Sequence, residues 1–255
     1  MTSNDLSVAE REAEKATAYE SFPVNLRDTR RTVEQILSLF GKNNIFEQYT
    51  VHDFSHVVEM LRLLEWLVPP DTQKIMSPGD WLMTVLSIYF HDLGLIVTQD
   101  EFKNRNESDF SNFCEQVLFS TPDGADDRAK IATLSTDERE RFLYQEFVRA
   151  NHAKRVRSWI SGKPDPELGY ARASIVEIVG LLSRLDPEFR RDLAVVCESH
   201  NLNDLDNIKK YKLSQPYGNT EAETVNLQYC SVLLRTADLL QVTRHRAPSV
   251  LYRLH

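Results

Sequence analysis

The fold is decided by residues 81–97, which read WLMTVLSIYFHDLGLIV. This apolar segment is much longer than the roughly 4–8 residues of a buried strand, so it predicts a buried helix. The polar pair His91-Asp92 lies within it. A carboxylate buried alone loses too much hydration free energy, so we expect the pair to be ion-paired or bound to a metal.

Helical periodicity continues on both sides of this segment. Pro69-Pro70 ends one predicted helix, and Ser135 with Glu138 forms a capping-box pattern at the start of another. The sequence contains no repeat and no convincing pair of strands. It therefore predicts an all-α domain over 28–255, preceded by an arm or short helix over 1–27. The predicted helices cover 28–41, 53–68, 81–97, 135–160, 171–185, 186–200 and 221–243.

Composition narrows the class of protein. A length of 255 residues suits one domain, and the net charge of −8 argues against bulk attraction to nucleic acid while leaving room for a local basic cleft. Cys114, Cys197 and Cys230 are widely spaced, which is typical of core thiols in a reducing compartment. No apolar run approaches the ~18 residues of a membrane span. The first 20 residues lack an apolar signal core, so we expect a cytoplasmic protein without membrane contact.

Metal-type side chains recur on three separate predicted helices. His56 stands at the head of one, His91-Asp92 in the second, and Asp238 lies among leucines on the last. Imidazole and carboxylate ligands without thiolate suit Mn, Fe, Co, Ni, Zn or Mg. Convergence of these side chains in the core would form a helical metal site.

The local sequences around these residues resemble HD-domain phosphohydrolases. The contexts are YTVHDFSH (49–56), YFHDLG (89–94) and LRTADLL (234–240), and the resemblance spans roughly 50–246. It implies an HD-domain helical bundle around a buried metal site. The implied ligands of a divalent ion are His56, His91, Asp92 and Asp238.

Two intervening histidines extend the resemblance to two-metal HD proteins. In that pattern Asp92 bridges both ions, and His152 and His200 hold the second. The spacing of His52 and His56 is similar to the paired histidines of cyclic-nucleotide phosphodiesterases, which implies that His52 is a general acid. Asp53 stands where that family usually has Asn.

The resemblance implies hydrolysis of a phosphate ester by metal-activated water, with one or two divalent ions as cofactor. The substrate is expected to be a nucleotide, a cyclic nucleotide or the end of a nucleic acid. Leu95 replaces a lysine that several phosphohydrolases carry, and no GYP motif follows, so the sequence does not identify the substrate. Candidate substrate-binding cations are Arg149, Arg155, Arg235 and Arg244.

Other interpretations stay open. His152 could belong to a solvated basic face, His200 could cap a helix C-terminus, and Asp238 could pair with Arg235 or Arg244. A di-iron oxygenase resembles the same ligand pattern. A non-catalytic sensor is a third possibility, since residues 243–248 resemble the join to an Hsp90-type ATPase, a C-terminal or separate partner. We expect the chain to continue beyond residue 255.

Overall fold

The computed structural model describes residues 6–42, 54–119, 131–169 and 171–240. The described chain is mainly helical, which confirms the predicted all-α class. Short 3-10 turns occupy Lys15–Ala18, Leu93–Leu95, Arg105–Glu107, Pro166–Leu168 and Glu221–Glu223. Helices α1 to α11 span, in chain order, Val8–Glu14, Leu26–Lys42, Phe54–Leu67, Pro70–Ile75, Pro78–Phe90, Gln99–Lys103, Phe110–Phe119, Thr136–Ile160, Arg172–Leu182, Pro187–Ser199 and Leu227–Leu240.

Helix α5 is the central helix of the core. Ser77 and Asp80 form a capping box at its start, and every residue from Gly79 to Phe90 is buried. The helix ends at Phe90, earlier than the predicted Val97. The cause is a tight turn, in which Asp92 adopts φ −97° and ψ 0° and its carbonyl accepts from the Leu95 amide at 2.9 Å. The His-Asp pair therefore lies at the end of the helix.

The N-terminal helix α1 packs against α5 and α3 and contributes Ala9 and Ala13 to the main core. Its Glu10 is only 2% exposed. The Glu10 carboxylate accepts from the Tyr89 hydroxyl at 2.6 Å and pairs with Arg30 at 2.9 Å. The Arg30 guanidinium in turn lies over the Phe54 ring, 5.0 Å from its centroid. This network joins α1 to α2, α3 and α5.

A small antiparallel sheet pairs β1 (Gln215–Pro216) with β2 (Thr224–Val225). It replaces the start of the helix predicted over 221–243, so α11 begins at Leu227 instead. The Asp80 carboxylate accepts from the Asn226 amide at 2.7 Å and so fastens the start of α11 to the start of α5. The sequence analysis missed both strands because each has only two residues.

The segment Pro78–Lys103 is long and apolar enough, by length and composition, to cross a membrane. This corrects the expectation that no run approaches that length. Within the protein, 83% of its most apolar window is buried, as in the core helix of a soluble protein. Cys197 and Cys230 are buried and Cys114 is half-buried, and all of them are free thiols.

Candidate metal centre

The fold brings the predicted metal ligands together from distant parts of the chain. His56 lies on α3, His91 caps the C-terminus of α5, and Asp92 follows it. His152 lies in the middle of α8, His200 caps the C-terminus of α10, and Asp238 lies on α11. Packing of α8 on α10, and of α11 on α3, α5 and α10, closes these elements around one cluster.

The first triad consists of His56, His91 and Asp92, whose ligand atoms all lie within 4.8 Å of one another. The Nε2 atoms of His56 and His91 lie 3.6 and 3.4 Å from Asp92 Oδ2. Asp238 Oδ1 lies 3.6 and 3.9 Å from the same two nitrogens. Ligand atoms about 2.0–2.2 Å from a shared ion are at most about 4.4 Å apart, so these distances fit one metal ion.

The second triad consists of Asp92, His152 and His200, whose ligand atoms also lie within 4.8 Å of one another. His152 Nε2 is 3.8 Å from Asp92 Oδ1 and 2.8 Å from His200 Nε2. Asp92 thus presents Oδ2 to the first triad and Oδ1 to the second. Its position suits a carboxylate that bridges two ions.

Backbone carbonyls fix the tautomers of three of these histidines. A carbonyl oxygen only accepts, so each Nδ1 must carry the hydrogen and each neutral ring keeps its Nε2 lone pair. The lone pairs of His152 and His200 then face each other, and that of His91 faces Asp92. Between neutral rings such an arrangement is repulsive unless a metal ion or a proton lies between the atoms, and it is the orientation in which metal-binding histidines are held. The contacts are His91 Nδ1 to Ile88 O at 2.9 Å, His152 Nδ1 to Arg149 O at 2.7 Å and His200 Nδ1 to Cys197 O at 2.5 Å.

Burial and charge support the same conclusion. His91 is 1% exposed, and its Nε2 has no hydrogen-bond partner in the described part of the chain. Burial lowers the pKa of His91, but the Asp92 and Asp238 carboxylates outweigh it and raise that pKa overall. Burial, reinforced by His91, lowers the pKa of His200 to about 4, which keeps its ring neutral at pH 7. These groups could therefore hold a divalent metal.

One predicted substrate contact is wrong. Arg155 is fully buried, and its guanidinium donates to Gly94 O, Ile96 O and Glu101 Oε1 at 2.7, 2.9 and 2.7 Å. It therefore cannot reach a substrate from solvent. Arg155 lies three residues after His152 on the same helix, and the turn after Asp92 covers its side chain, a tertiary contact that the sequence does not show.

The other two predicted cations that the structure describes, Arg149 and Arg235, lie nearer to solvent. Arg149 is 59% exposed and pairs with Glu146 at 2.5 Å. Arg235 donates to Leu202 O and to Asn203 Oδ1, the latter at 2.9 Å, and so holds the loop that follows His200. Their contact with substrate stays a prediction. His52 and Arg244, together with the possible ATPase join over 243–248, lie outside the described residues.

Sequence reasoning missed two residues that shape the cluster. A Cβ at Gly94 would overlap the carbonyl oxygen of His152, so only glycine allows this close approach. The glycine directly after His91-Asp92-Leu93 is the signal that could have identified it. Glu101 is 5% exposed and neutralises Arg155, and nothing in its polar sequence context indicates that burial.

Comparison with known proteins agrees with this geometry. The HD-CE family model matches residues 46–255, which include every ligand of the cluster. No curated protein and no solved structure matches the chain significantly. The family match covers most of the chain and contains both triads in the expected order. The chain therefore belongs to the HD-CE family and is a helical domain of the HD type.

Proposed function

We propose that this protein is a cytoplasmic metal-dependent phosphohydrolase that cleaves a phosphate ester of a nucleotide, a cyclic nucleotide or a nucleic-acid end. The observation that supports the proposal is the shared carboxylate. Asp92 lies between two sets of imidazole nitrogens, 3.4 Å from His91 Nε2 and 3.8 Å from His152 Nε2. Two adjacent cation positions with a common carboxylate are typical of two-metal phosphoester chemistry.

Each ligand has a role in this proposal. His56, His91, Asp92 and Asp238 hold the first ion, and Asp92, His152 and His200 hold the second. Divalent ions supply Lewis acidity, because they acidify water and neutralise charge on phosphoryl oxygens. Backbone carbonyls orient the imidazoles of His91, His152 and His200 so that each Nε2 faces the cluster, which removes the reorganisation that flexible ligands would need.

The accessible side of the cluster indicates where a substrate would enter. His56 and His91 form a buried floor, with side chains 4% and 1% exposed. The side chains of Asp238 and His152 are 24% and 14% exposed. A phosphate would therefore approach from the side of α8 and α11. Arg235 lies one helical turn before Asp238, which makes it a candidate cation for a substrate oxygen on that side.

Hydrolysis is tested on the full chain loaded with Mn²⁺ and assayed anaerobically. The substrates are bis(p-nitrophenyl) phosphate, 2′,3′- and 3′,5′-cyclic nucleotides, nucleoside monophosphates and short single strands with 3′- or 5′-phosphate ends. We expect turnover of at least one phosphoester by the wild type. Asp92→Ala should abolish it, because both triads lose a ligand. Asp71→Ala is the matched control, since the Asp71 side chain lies on α4 and is 94% exposed.

The outcomes separate the proposal from its alternatives. Turnover in wild type and Asp71→Ala, with none in Asp92→Ala, supports hydrolysis at the cluster. Equal turnover in all three proteins would assign the activity to a contaminant. Metal binding without turnover on any of these substrates would contradict the hydrolase and favour a sensor domain. Oxygen consumption by an iron-loaded sample would instead favour the oxygenase.

A further inference from the structure

Arg155 joins the second triad to the turn that carries Asp92. It lies on α8 three residues after His152, and its side chain is fully buried. The guanidinium donates from Nε to Gly94 O at 2.7 Å and from Nη2 to Ile96 O at 2.9 Å. Two carbonyls of the same short turn are therefore held by one planar, rigid group.

The Glu101 carboxylate balances the charge of the Arg155 guanidinium, on the side facing away from the turn carbonyls. Nη1 donates to Glu101 Oε1 at 2.7 Å and to Leu168 O. Tyr144 also donates to Glu101 Oε1, at 2.9 Å, and the guanidinium lies over the Trp159 ring, 5.0 Å from its centroid. With neighbours on every side, the guanidinium cannot change orientation without breaking several contacts.

The turn that carries Asp92 is tightly constrained by its own hydrogen bonds and by packing. Asp92 O accepts from the Leu95 amide at 2.9 Å, and Leu93 O accepts from the Ile96 amide at 3.1 Å. Gly94 lies so close to the His152 carbonyl that a Cβ there would overlap it. The backbone that carries Asp92 is thus pressed onto the backbone that carries His152, and Arg155 holds the two together.

We infer that Arg155 is a positioning residue for the second metal, because it fixes the 3.8 Å gap between Asp92 Oδ1 and His152 Nε2. It does not touch the ion or the substrate. The inference rests on the two-metal form of the proposed function. The first triad does not include His152, so its geometry depends on Arg155 less.

The test is a titration of the metal-free full chain with Mn²⁺. Calorimetry measures the heat of binding, and electron paramagnetic resonance measures the unbound Mn²⁺. We expect Arg155→Met to weaken the second binding event by about 10–100-fold, the usual effect of removing a partner that orients metal ligands, and to change the first much less. Arg155→Lys keeps the charge beside Glu101 and can reach one carbonyl. It should restore part of the lost affinity.

Gly94→Ala tests the same contact from the opposite side. Its methyl group would push the turn away from His152, so the second event should again weaken selectively. This variant also decides the question if Arg155→Met does not fold. Tyr144→Phe removes a single hydrogen bond from Glu101 and leaves the bonds of Arg155 to the turn in place, so both binding events should be unchanged.

Leu143→Ala controls for lost stability. Leu143 is 4% exposed and belongs to an apolar cluster separate from the main core, and its side chain carries no polar group that could bond to the turn. Thermal melts monitored by circular dichroism identify the Arg155 variant whose stability matches that of Leu143→Ala. Normal binding by Leu143→Ala beside a weakened second event in Arg155→Lys and Gly94→Ala would support the inference.

The results also separate this inference from the proposed function. A wild type that binds two Mn²⁺ ions, with unchanged second affinity in Arg155→Lys and Gly94→Ala, would overturn the positioning role alone. A wild type that binds fewer than two would overturn the two-metal proposal itself. Equal weakening of both events in the Arg155 variants and in Leu143→Ala would reduce Arg155 to a general stabilising role.

Discussion

The two triads share Asp92 but differ in their charge. Asp238 lies beside the first triad, so the imidazoles of His56 and His91 lie near two carboxylates, whereas among the described residues the imidazoles of the second triad lie near Asp92 alone. Burial lowers the pKa of both His91 and His200, but the two carboxylates reverse this effect at His91, whereas at His200 burial, reinforced by His91, prevails. We therefore expect the first triad to bind a metal more tightly than the second.

The largest effect expected from this comparison is the loss of one ion at a time. His91→Ala should remove the first ion, since its ring reaches both carboxylates. His200→Ala should remove the second ion and leave the first. Each loss should exceed the roughly 10–100-fold weakening caused by removing an outer partner. Metal analysis of the dialysed proteins measures this, and loss of both ions from His200→Ala would show that the triads are not separable.

A smaller effect is expected from changing charge without changing shape. Asp238→Asn keeps a carbonyl oxygen near His56 and His91 but removes one negative charge. The first binding constant for Mn²⁺ should fall by roughly tenfold or more, and the second should change less. Calorimetric titration checks this prediction. An equal fall in both constants would mean that Asp238 serves the whole cluster.

The last effect concerns stability instead of metal binding, namely the pH dependence of unfolding of the metal-free protein. The pKa of His200 falls from 6.5 to about 4 on folding, so His200 opposes folding as the pH drops below 6.5. His91 has a raised pKa, so its stabilising contribution is fully present below 6.5 and is lost as the pH rises through that raised value. Relative to wild type, between pH 7 and pH 5, His200→Asn should gain about 2 kcal/mol of unfolding free energy and His91→Asn should lose some.

Urea unfolding of the metal-free proteins at several pH values measures these differences. Asp71→Asn is the control, because this exposed side chain should leave the pH dependence unchanged. Parallel pH profiles for wild type, His200→Asn and His91→Asn would contradict the assigned electrostatics of both triads.

The first triad could be predicted from the sequence because each of its residues stands in an apolar context. His91-Asp92 ends a fully buried helix, and His56 and Asp238 lie among leucines and valines. His152 and His200 gave weaker signals. The first has basic neighbours, and the second ends a helix where a histidine is common. The structure places both beside Asp92 all the same.

What the sequence could not show is which side of a helix another segment covers. Arg155 and Arg157 lie in the same basic stretch of α8. Arg155 is fully buried, yet the Arg157 side chain is 48% exposed. The turn after Asp92 makes this difference, and it reaches α8 from a distant part of the chain. Helix α6 was missed because it has only five residues. The spacing of Phe110, Phe113 and Cys114 in α7 is helical, and this signal was overlooked within the polar region around it.

The central claim is that distant imidazoles and carboxylates converge on divalent ions that share Asp92. It is tested most directly by the metal content per chain of the wild type and of Asp92→Ala, each loaded with Mn²⁺, dialysed and analysed by mass spectrometry. The prediction is two ions in the wild type and neither in Asp92→Ala. Equal metal content in the two proteins would contradict it.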